Sequence, residues 1–363
     1  MNSTPSKRGA AWRGFHLTIK TALLATLIVI LTNQFAIGGS ATWKVDPISN
    51  DWNTAENWMP ATVPNGPDDV ATFDVSNQTA ITVSANTEVA NIVFDPGASI
   101  FTITSGPAVE LTVSGVGVAN NSGVEQNFVV TTDASGGGAL SFTNEATAGD
   151  QVSYTVNGSS GAAAGLLSFH DTSTAGTASF VTNSSSVFIG LWATLEFDDN
   201  STAGDAVIVS NPGASTYLVG GRTYFYNASN AGNATVTNKG DTAAGGSNGT
   251  TIFDDTATAG SATFVNEGAA VNGANLAGIT YFDGNSTAGD ATFIINREQG
   301  GRNGEPAAVI FEEDSSAGNA TFRAYGGANP YFGGYIQFLG TSNGGSSRIA
   351  LLGSNTSLIP TGV

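Results

Sequence analysis

Cysteine is missing from this 363-residue chain, which excludes a disulfide framework and any thiolate metal site. Histidine occurs only twice, as His16 and His170, and His16 falls in a segment that we expect to be removed. Charged residues make up just 11% of the chain, and such a polar, glycine-rich composition could be disordered. A hydrophobic content of 40%, with Phe, Val and Ile at regular positions, indicates a folded chain instead.

Basic residues are also scarce, with 11 Lys and Arg against 29 Asp and Glu, for a formal net charge of −18. Residues 1–41 hold four Lys and Arg and no acidic residue, so their removal would take the charge to −22, from −18 − 4. Nucleic acid and anionic membrane surfaces are therefore excluded as partners, and cations are favoured on charge alone.

No apolar run in the sequence is long enough to span a bilayer comfortably, since about 20 residues are needed. The longest, Thr21–Thr32, follows a basic region and precedes the small residues Gly38, Gly39, Ser40 and Ala41. This pattern predicts an export signal at residues 1–41, with no integral membrane span after its removal. A retained membrane anchor is the alternative.

What the sequence does contain is a repeated turn, STAG or a close variant. The turn glycines are 27, 28, 28, 28, 29, 29 and 27 residues apart, a period typical of stacked architectures. These glycines are Gly149, Gly176, Gly204, Gly232, Gly260, Gly289, Gly318 and Gly345. Seven residues before each glycine stands a phenylalanine: Phe142, Phe169, Phe197, Phe225, Phe253, Phe282, Phe311 and Phe338.

Short runs of alternating apolar residues flank each turn, and no sustained helical stripe follows residue 41. One repeat cannot bury its phenylalanine alone, whereas stacked repeats place Phe over Phe and pair their backbones. We therefore predict an all-β fold, a parallel β-helix (solenoid) of about 28-residue coils preceded by the signal segment. Alanines flank the turn, and recurring asparagines are expected to hydrogen-bond between coils. Those asparagines are Asn157, Asn183, Asn211, Asn238, Asn266 and Asn296.

The alternative fold is a β-sandwich array, which needs longer units and antiparallel turn signals. The β-helix reading divides the chain into a signal peptide (1–41), a cap with irregular coils (42–139), regular coils (140–352) and a tail (353–363). At the cap, Trp43, Trp52 and Trp58 are expected to cover the first coil, with a sugar-stacking platform as the alternative. The uncapped C-terminal end suggests a truncated product, a missing partner or self-association through solenoid ends.

The segment TWKVDPISNDWNTAENWMPATVPNGPDDVATF resembles the start of exported bacterial repeat proteins, the autotransporter-type passengers and their relatives. GVGVANNSGVEQNF and the F-x(4)-STAG-x-A-x-F unit are similar to repeats in the same proteins. The resemblance covers the mature chain and implies a β-helical protein at the cell surface. It departs from the family in having no C-terminal barrel or sorting tail before Val363.

Acidic residues follow the repeat phenylalanine and are the only cofactor candidates, as oxygen ligands for calcium. The alternative is that these aspartates and asparagines simply cap turns. No other cofactor is expected. The calcium candidates are Asp171, Asp199, Asp255 and Asp283.

No catalytic residue is predicted. A β-helical polysaccharide hydrolase or lyase is the alternative function, and it rests on the pairs Asp198/Asp199 and Asp254/Asp255, about two coils apart. A lyase also needs clustered basic residues, and those of the repeats are scattered. His170 beside Asp171 could be a general base, although a lone turn histidine is usually just solvated. The scattered basic residues are Arg222, Lys239, Arg297, Arg302, Arg323 and Arg348.

A binding face could form from the remaining aromatic residues, which are expected in segments between turns and near the surface. The favoured function is an exported cell-surface or secreted adhesin-like scaffold without catalytic activity, whose partners are glycans or neighbouring cell surfaces. The aromatic candidates are Trp192, Tyr217, Tyr224, Tyr226, Tyr331 and Tyr335.

Overall fold

The computed structural model describes residues 39–353, apart from 162, 188–189, 214, 216–217, 243–245, 271–275, 300–304 and 328–332. The predicted signal segment up to residue 38, Tyr217 and Tyr331 therefore lie outside the described residues, as does all of the tail except Gly353. The helix content of the described part is one 3-10 turn, Ala55–Asn57. None of its helices could cross a bilayer.

The N-terminal part carries strands of uneven length. They are β1 (Ala41–Trp43), β2 (Trp58–Met59), β3 (Gly66–Phe73), β4 (Ala80–Val83), β5 (Thr87–Phe94), β6 (Thr102–Ser105), β7 (Glu110–Asn120), β8 (Gln126–Val130), β9 (Thr132–Asp133) and β10 (Gly136–Gly137). The pairing of β5 with β3 and with β7 shifts register within the strands, which agrees with the irregular spacing of the sequence there.

The regular part alternates two strands of four or five residues per coil. They are β11 (Ala139–Phe142), β12 (Val152–Val156), β13 (Leu166–Phe169), β14 (Ser179–Thr182), β15 (Thr194–Phe197), β16 (Val207–Ser210), β17 (Arg222–Phe225), β18 (Thr235–Asn238), β19 (Thr250–Phe253), β20 (Thr263–Asn266), β21 (Ile279–Phe282), β22 (Thr292–Ile295), β23 (Ala308–Phe311), β24 (Thr321–Tyr325), β25 (Tyr335–Phe338) and β26 (Arg348–Leu352).

Each strand of the regular part pairs in parallel with its equivalents in the neighbouring coils, which builds two long sheets. Sheet 1 has 13 strands in the order β2-β1-β3-β5-β7-β11 and then the odd-numbered strands to β25. Sheet 2 has 11, running β4-β6-β8-β12 and then the even-numbered strands to β26. The molecule is a parallel β-helix, as predicted, and the β-sandwich alternative is wrong because equivalent strands pair side by side in parallel.

The repeat phenylalanines form one continuous stack inside sheet 1. Phe197 lies 4.8 Å from Phe169 and 4.7 Å from Phe225 between ring centroids, and each pair of rings is parallel to within 6°. This separation equals the spacing of adjacent strands, so rings at one register position must stack. From Phe142 to Phe311 the rings are fully buried, and each removes its apolar surface from water.

A second apolar column runs inside sheet 2 and faces the first. Phe180 meets Phe169 edge to face at 5.8 Å and 78°, and the same contact recurs farther along. The strand pairing places the following residues at one register position of this column: Tyr154, Phe180, Ile208, Val236, Phe264, Phe293, Phe322 and Ile349.

The turn between the two strands of a coil needs glycine for two reasons. Gly204 has φ +58°, a left-handed conformation that disfavours side chains. A Cβ there would also lie 2.8 Å from the carbonyl oxygen of Gly176 in the preceding coil. The threonine of the turn, Thr202, forms a parallel bridge with Thr174 and Asn230. The flanking Ala203 is fully buried, so the corner can close tightly.

The asparagines hydrogen-bond between coils, as predicted, but they form two columns instead of one. Asn183 donates to Oδ1 of Asn157 at 3.0 Å, and Asn211 donates to Oδ1 of Asn183 at 2.9 Å. Asn238 and Asn266 stand one position earlier, inside β18 and β20, and bond to each other at 2.9 Å. Because neighbouring strand residues point to opposite faces, this offset of one residue buries both side chains.

The three N-terminal tryptophans cover the first coil. They are at most 1% exposed and pack around Phe73. Trp58 meets both Trp43 and Trp52 edge to face, with ring centroids 5.0 Å apart in each pair. Strand β2 pairs with β1 in the antiparallel sense and closes this edge of sheet 1. The alternative of a sugar-stacking platform is wrong, because no ring face reaches solvent.

The last coil follows the repeat pattern to Leu352. Strand β26 pairs with β24, and Gly345 keeps the left-handed conformation of the turn at φ +52°. The side chains of β26 are exposed, including Ile349 at 50% and Leu351 at 60%.

Candidate functional site: the outer face of sheet 1 and its corner

The acidic turn residues share one unusual backbone conformation. The residues two positions after the repeat phenylalanine form a column whose backbone φ lies between +52° and +57°. Asn and Asp tolerate this left-handed conformation better than most residues. Oδ2 of Asp171 accepts the backbone N–H of Asn144 at 2.8 Å, and Oδ2 of Asp199 accepts that of Asp171 at 3.0 Å. The column is Asn144, Asp171, Asp199, Asn227, Asp255 and, farther along, Glu313.

These contacts are the turn capping that the sequence offered as the alternative to calcium. Asp255 repeats it, accepting the N–H of Asn227 at 3.1 Å. Asp283 differs, because Gly284 takes the left-handed position in its coil and Asp283 lies one residue earlier. The four calcium candidates therefore do not form one column, and calcium binding by them stays a prediction.

His170 faces a different carboxylate from the one expected. Its Nδ1 lies 3.9 Å from Oδ2 of Asp198, in the next coil, while the carboxylate of the adjacent Asp171 holds the Asn144 amide. Stacking explains the change of partner, because equivalent positions of successive coils lie closer than sequence neighbours that point apart.

The two carboxylate pairs of the hydrolase hypothesis lie two coils apart, with one complete coil between them, as the sequence predicted. Tyr226 stands between Asp198 and Asp254 in the same column. In both pairs the first aspartate accepts the N–H of the second, at 2.8 Å for Asp198 and 2.7 Å for Asp254. The pairs thus have the same local role in turn geometry, and the expected lack of catalysis stays a prediction.

An aromatic patch lies on the outer face of sheet 1, and we define it as Trp192, Arg222, Tyr224 and Tyr226. The two tyrosine rings stack at 5.4 Å and 9°. The guanidinium carbon of Arg222 lies 3.7 Å from the centre of the Trp192 ring, and its Nη1 donates to the Tyr224 hydroxyl at 3.0 Å. The four side chains therefore form one connected, half-buried surface.

The structure refines the expectation that these tyrosines lie between turns. Tyr224 belongs to strand β17, which lies between two turn glycines, and Tyr226 follows the strand directly. They share a face because residues two apart in a strand point the same way. Tyr335 likewise lies in a strand, β25. The pairing of Arg222 with Trp192 was missed, because contacts across coils leave no local signal.

Carboxylates surround the patch and keep it negative. Glu196 lies beside Tyr224 in the strand register, and Asp198 and Asp254 flank Tyr226. Burial, then the neighbouring Tyr224 and the carboxylates of Glu196 and Asp254, raise the pKa of Tyr226 to about 12. Its phenol is therefore a neutral hydrogen-bond donor at physiological pH. Burial and then Asp198 also raise the pKa of Glu196.

The patch offers apolar ring surface together with hydroxyl, guanidinium and carboxylate groups. Such a surface can stack against the apolar side of a ring-shaped ligand while hydrogen-bonding its hydroxyls. A scan against protein-family models and searches of curated proteins and of solved structures each found no match.

Proposed function

We propose that this chain is an exported, adhesin-like β-helical scaffold that binds glycans through the aromatic patch on the outer face of sheet 1. One observation carries the proposal. One inner column of sheet 1 repeats phenylalanine in all eight regular coils, whereas the outer positions of two adjacent coils gather an arginine and three aromatic rings. Core packing does not require these outer residues, so ligand binding is a reason for their presence.

The charges around the patch favour one class of glycan. Glu196, Asp198 and Asp254 repel uronic and sialic acids, as does the net charge of −18. Neutral sugars avoid this cost, and amino sugars gain by it. Arg222 does not reverse the preference, because its guanidinium is already engaged by Trp192 and Tyr224.

Binding of the full chain to an array of neutral, amino and acidic oligosaccharides tests the proposal. The double variant Tyr224→Ala/Tyr226→Ala should weaken binding at least about tenfold, as for aromatic anchors of other interfaces. Tyr281→Ala is the matched control, because Tyr281 stands in the Tyr224 column two coils away with Ile252 and Ile310 as neighbours. Equal binding by both variants would refute a role for the patch.

Export rests on the sequence of residues 1–41 alone and needs its own test. Fusion of this segment to a reporter enzyme that is active only outside the cytoplasm should give activity in a bacterial host. Replacement of Lys7, Arg8 and Arg13 by glutamate should reduce it, because the basic region orients a signal segment. A reporter that stays inactive would contradict export and leave the glycan proposal to its separate binding test.

A further inference from the structure

The corner beside the aromatic patch brings together three metal-ligating side chains from two coils. They are His170, the only histidine among the described residues, and Asp198 and Asp199 of the next coil. One ligand atom from each lies within 4.8 Å of the other two. His170 and Asp198 are partly exposed, with 35% and 27% of their side-chain surface open to solvent.

The cluster breaks the repeat, whereas the turn-capping carboxylates follow it. The residue after each repeat phenylalanine is an acid in most later coils, and histidine enters once, next to Asp198. Turn geometry does not require a ring nitrogen at this position, since threonine serves in the preceding coil. The column runs Thr143, His170, Asp198, Tyr226, Asp254, Asp283 and Glu312.

The surroundings carry negative charge that no described Lys or Arg side chain neutralises by an ion pair. Glu196 points to the same side as Asp198 and is half-buried. The imidazole of His170 lies 3.9 Å from Asp198, and the two form an ion pair only when the imidazole carries a proton on both nitrogens. A bound cation would relieve the repulsion between these carboxylates.

We propose that His170, Asp198 and Asp199 bind a divalent transition-metal ion of the zinc class at this corner. A mixed set of imidazole nitrogen and carboxylate oxygens suits Zn²⁺ and its neighbours, whereas Ca²⁺ takes oxygen ligands only. Ligand atoms on a tetrahedral Zn²⁺ lie about 3.3 Å apart, given bonds of about 2.0 Å. The distance of 3.9 Å between Nδ1 and Oδ2 is close to this, and partly exposed side chains can rotate to reach it.

The site shares Asp199 with the four calcium candidates, but it also needs His170 and Asp198, which are not among them. None of the three ligands belongs to the aromatic patch, so Zn²⁺ binding and glycan binding are measured separately, although Asp198 also adds negative charge beside Tyr226. A metal here would link two adjacent coils and stabilise the folded chain by an amount that grows with the logarithm of the Zn²⁺ concentration above Kd.

Calorimetric titration of the full chain with ZnCl₂ at neutral pH tests the proposal, alongside thermal unfolding with and without Zn²⁺. His170→Thr restores the residue of the preceding coil, and Asp198→Asn removes a charge at constant shape. We expect one Zn²⁺ site, and a loss of affinity of at least about tenfold in each variant, since even outer-shell changes cost that much. Asp254→Asn should bind normally, because Asp254 makes the same turn contact as Asp198 without a histidine nearby.

Two results would overturn the metal site. One is the absence of Zn²⁺ binding by the unmodified chain. The other is binding that His170→Thr leaves unchanged, which would place the ion elsewhere, including at His16. Thermal unfolding guards against a trivial loss through misfolding, because His170→Thr should match the unmodified chain when no metal is added.

Discussion

One inner column of sheet 1 holds phenylalanine in eight successive coils, whereas the outer column beside it changes from coil to coil. Inside, phenylalanine follows phenylalanine at a fixed spacing close to that of adjacent strands. Outside, at the position before each of these phenylalanines, the residues are Ser141, Ser168, Glu196, Tyr224, Ile252, Tyr281, Ile310 and Gln337.

The difference shows which constraint acts on each face. An inner side chain must fill the space between the rings above and below it, and a change of volume there is costly. Ser141, Ser168 and Ile310 of the outer column are buried, whereas the other outer side chains are partly open to water. The backbone ladder accepts serine, glutamate and tyrosine at this one register position. Function can therefore vary on the outer face without disturbing the fold.

The largest effect should come from interrupting the inner column. Phe197→Ala removes a fully buried ring that stacks on both neighbours, and should lower the free energy of unfolding by about 3–5 kcal/mol. Tyr281→Ala on the outer face should cost much less. Urea unfolding of the two variants measures the contrast, and similar losses would mean that the two faces do not differ as argued.

A smaller loss is expected where the turn glycine is replaced. In Gly204→Ala the left-handed backbone costs the alanine about 1–2 kcal/mol, and its Cβ also lies too close to Gly176. Gly97 is the matched control, since it also has positive φ, +82°, but a Cβ there would meet nothing within 4 Å. Unfolding midpoints should therefore drop further for Gly204→Ala than for Gly97→Ala, and the reverse order would refute the contact argument.

Buried serines near the turn should give a change of opposite sign. The hydroxyl of Ser201 is buried and has no hydrogen-bond partner, as for Ser173, Ser229 and Ser286. Ser201→Ala should leave stability unchanged or raise it by up to about 1 kcal/mol, because an unsatisfied hydroxyl is removed. Ser315, whose hydroxyl donates to the Glu312 carbonyl at 2.6 Å, should instead lose stability as alanine. A loss in both variants would show that the Ser201 hydroxyl is satisfied after all.

The smallest effect should depend on pH. Glu298 is only 6% exposed, and burial raises its pKa above the usual 4.5. A raised carboxyl pKa favours the folded state only at low pH, and the contribution is lost as the pH rises. Glu298→Gln should therefore be more stable than the unmodified chain at pH 7, with the gap closing near pH 4. The exposed Glu125→Gln should show no such convergence, and equal behaviour of the two would contradict the prediction.

Much of the fold was predictable, because eight repeats carry the same phenylalanine and turn-glycine positions. The phenylalanine spacing located both sheets, and the turn glycines marked the corner of every coil. The asparagine columns were predicted only in part, since an offset of one residue, as at Asn238, looks trivial in sequence but reverses the side-chain direction.

The candidate sites were less predictable, since their residues meet only through stacking. Arg222 lies 30 positions from Trp192, and His170 lies 28 from Asp198, so nothing local connects either pair. The sequence contained a signal in the departures from the repeat, because His170 and Tyr226 stand where other coils have threonine or an acid.

The sequence by itself determined that this chain is a stack of coils, through a period of about 28 residues and a buried ring in every copy. Only the tertiary structure decided which side chains meet on the outside. The physical reason is the strand spacing of about 4.8 Å, which brings residues one coil apart closer together than residues that are near in sequence but point to opposite faces.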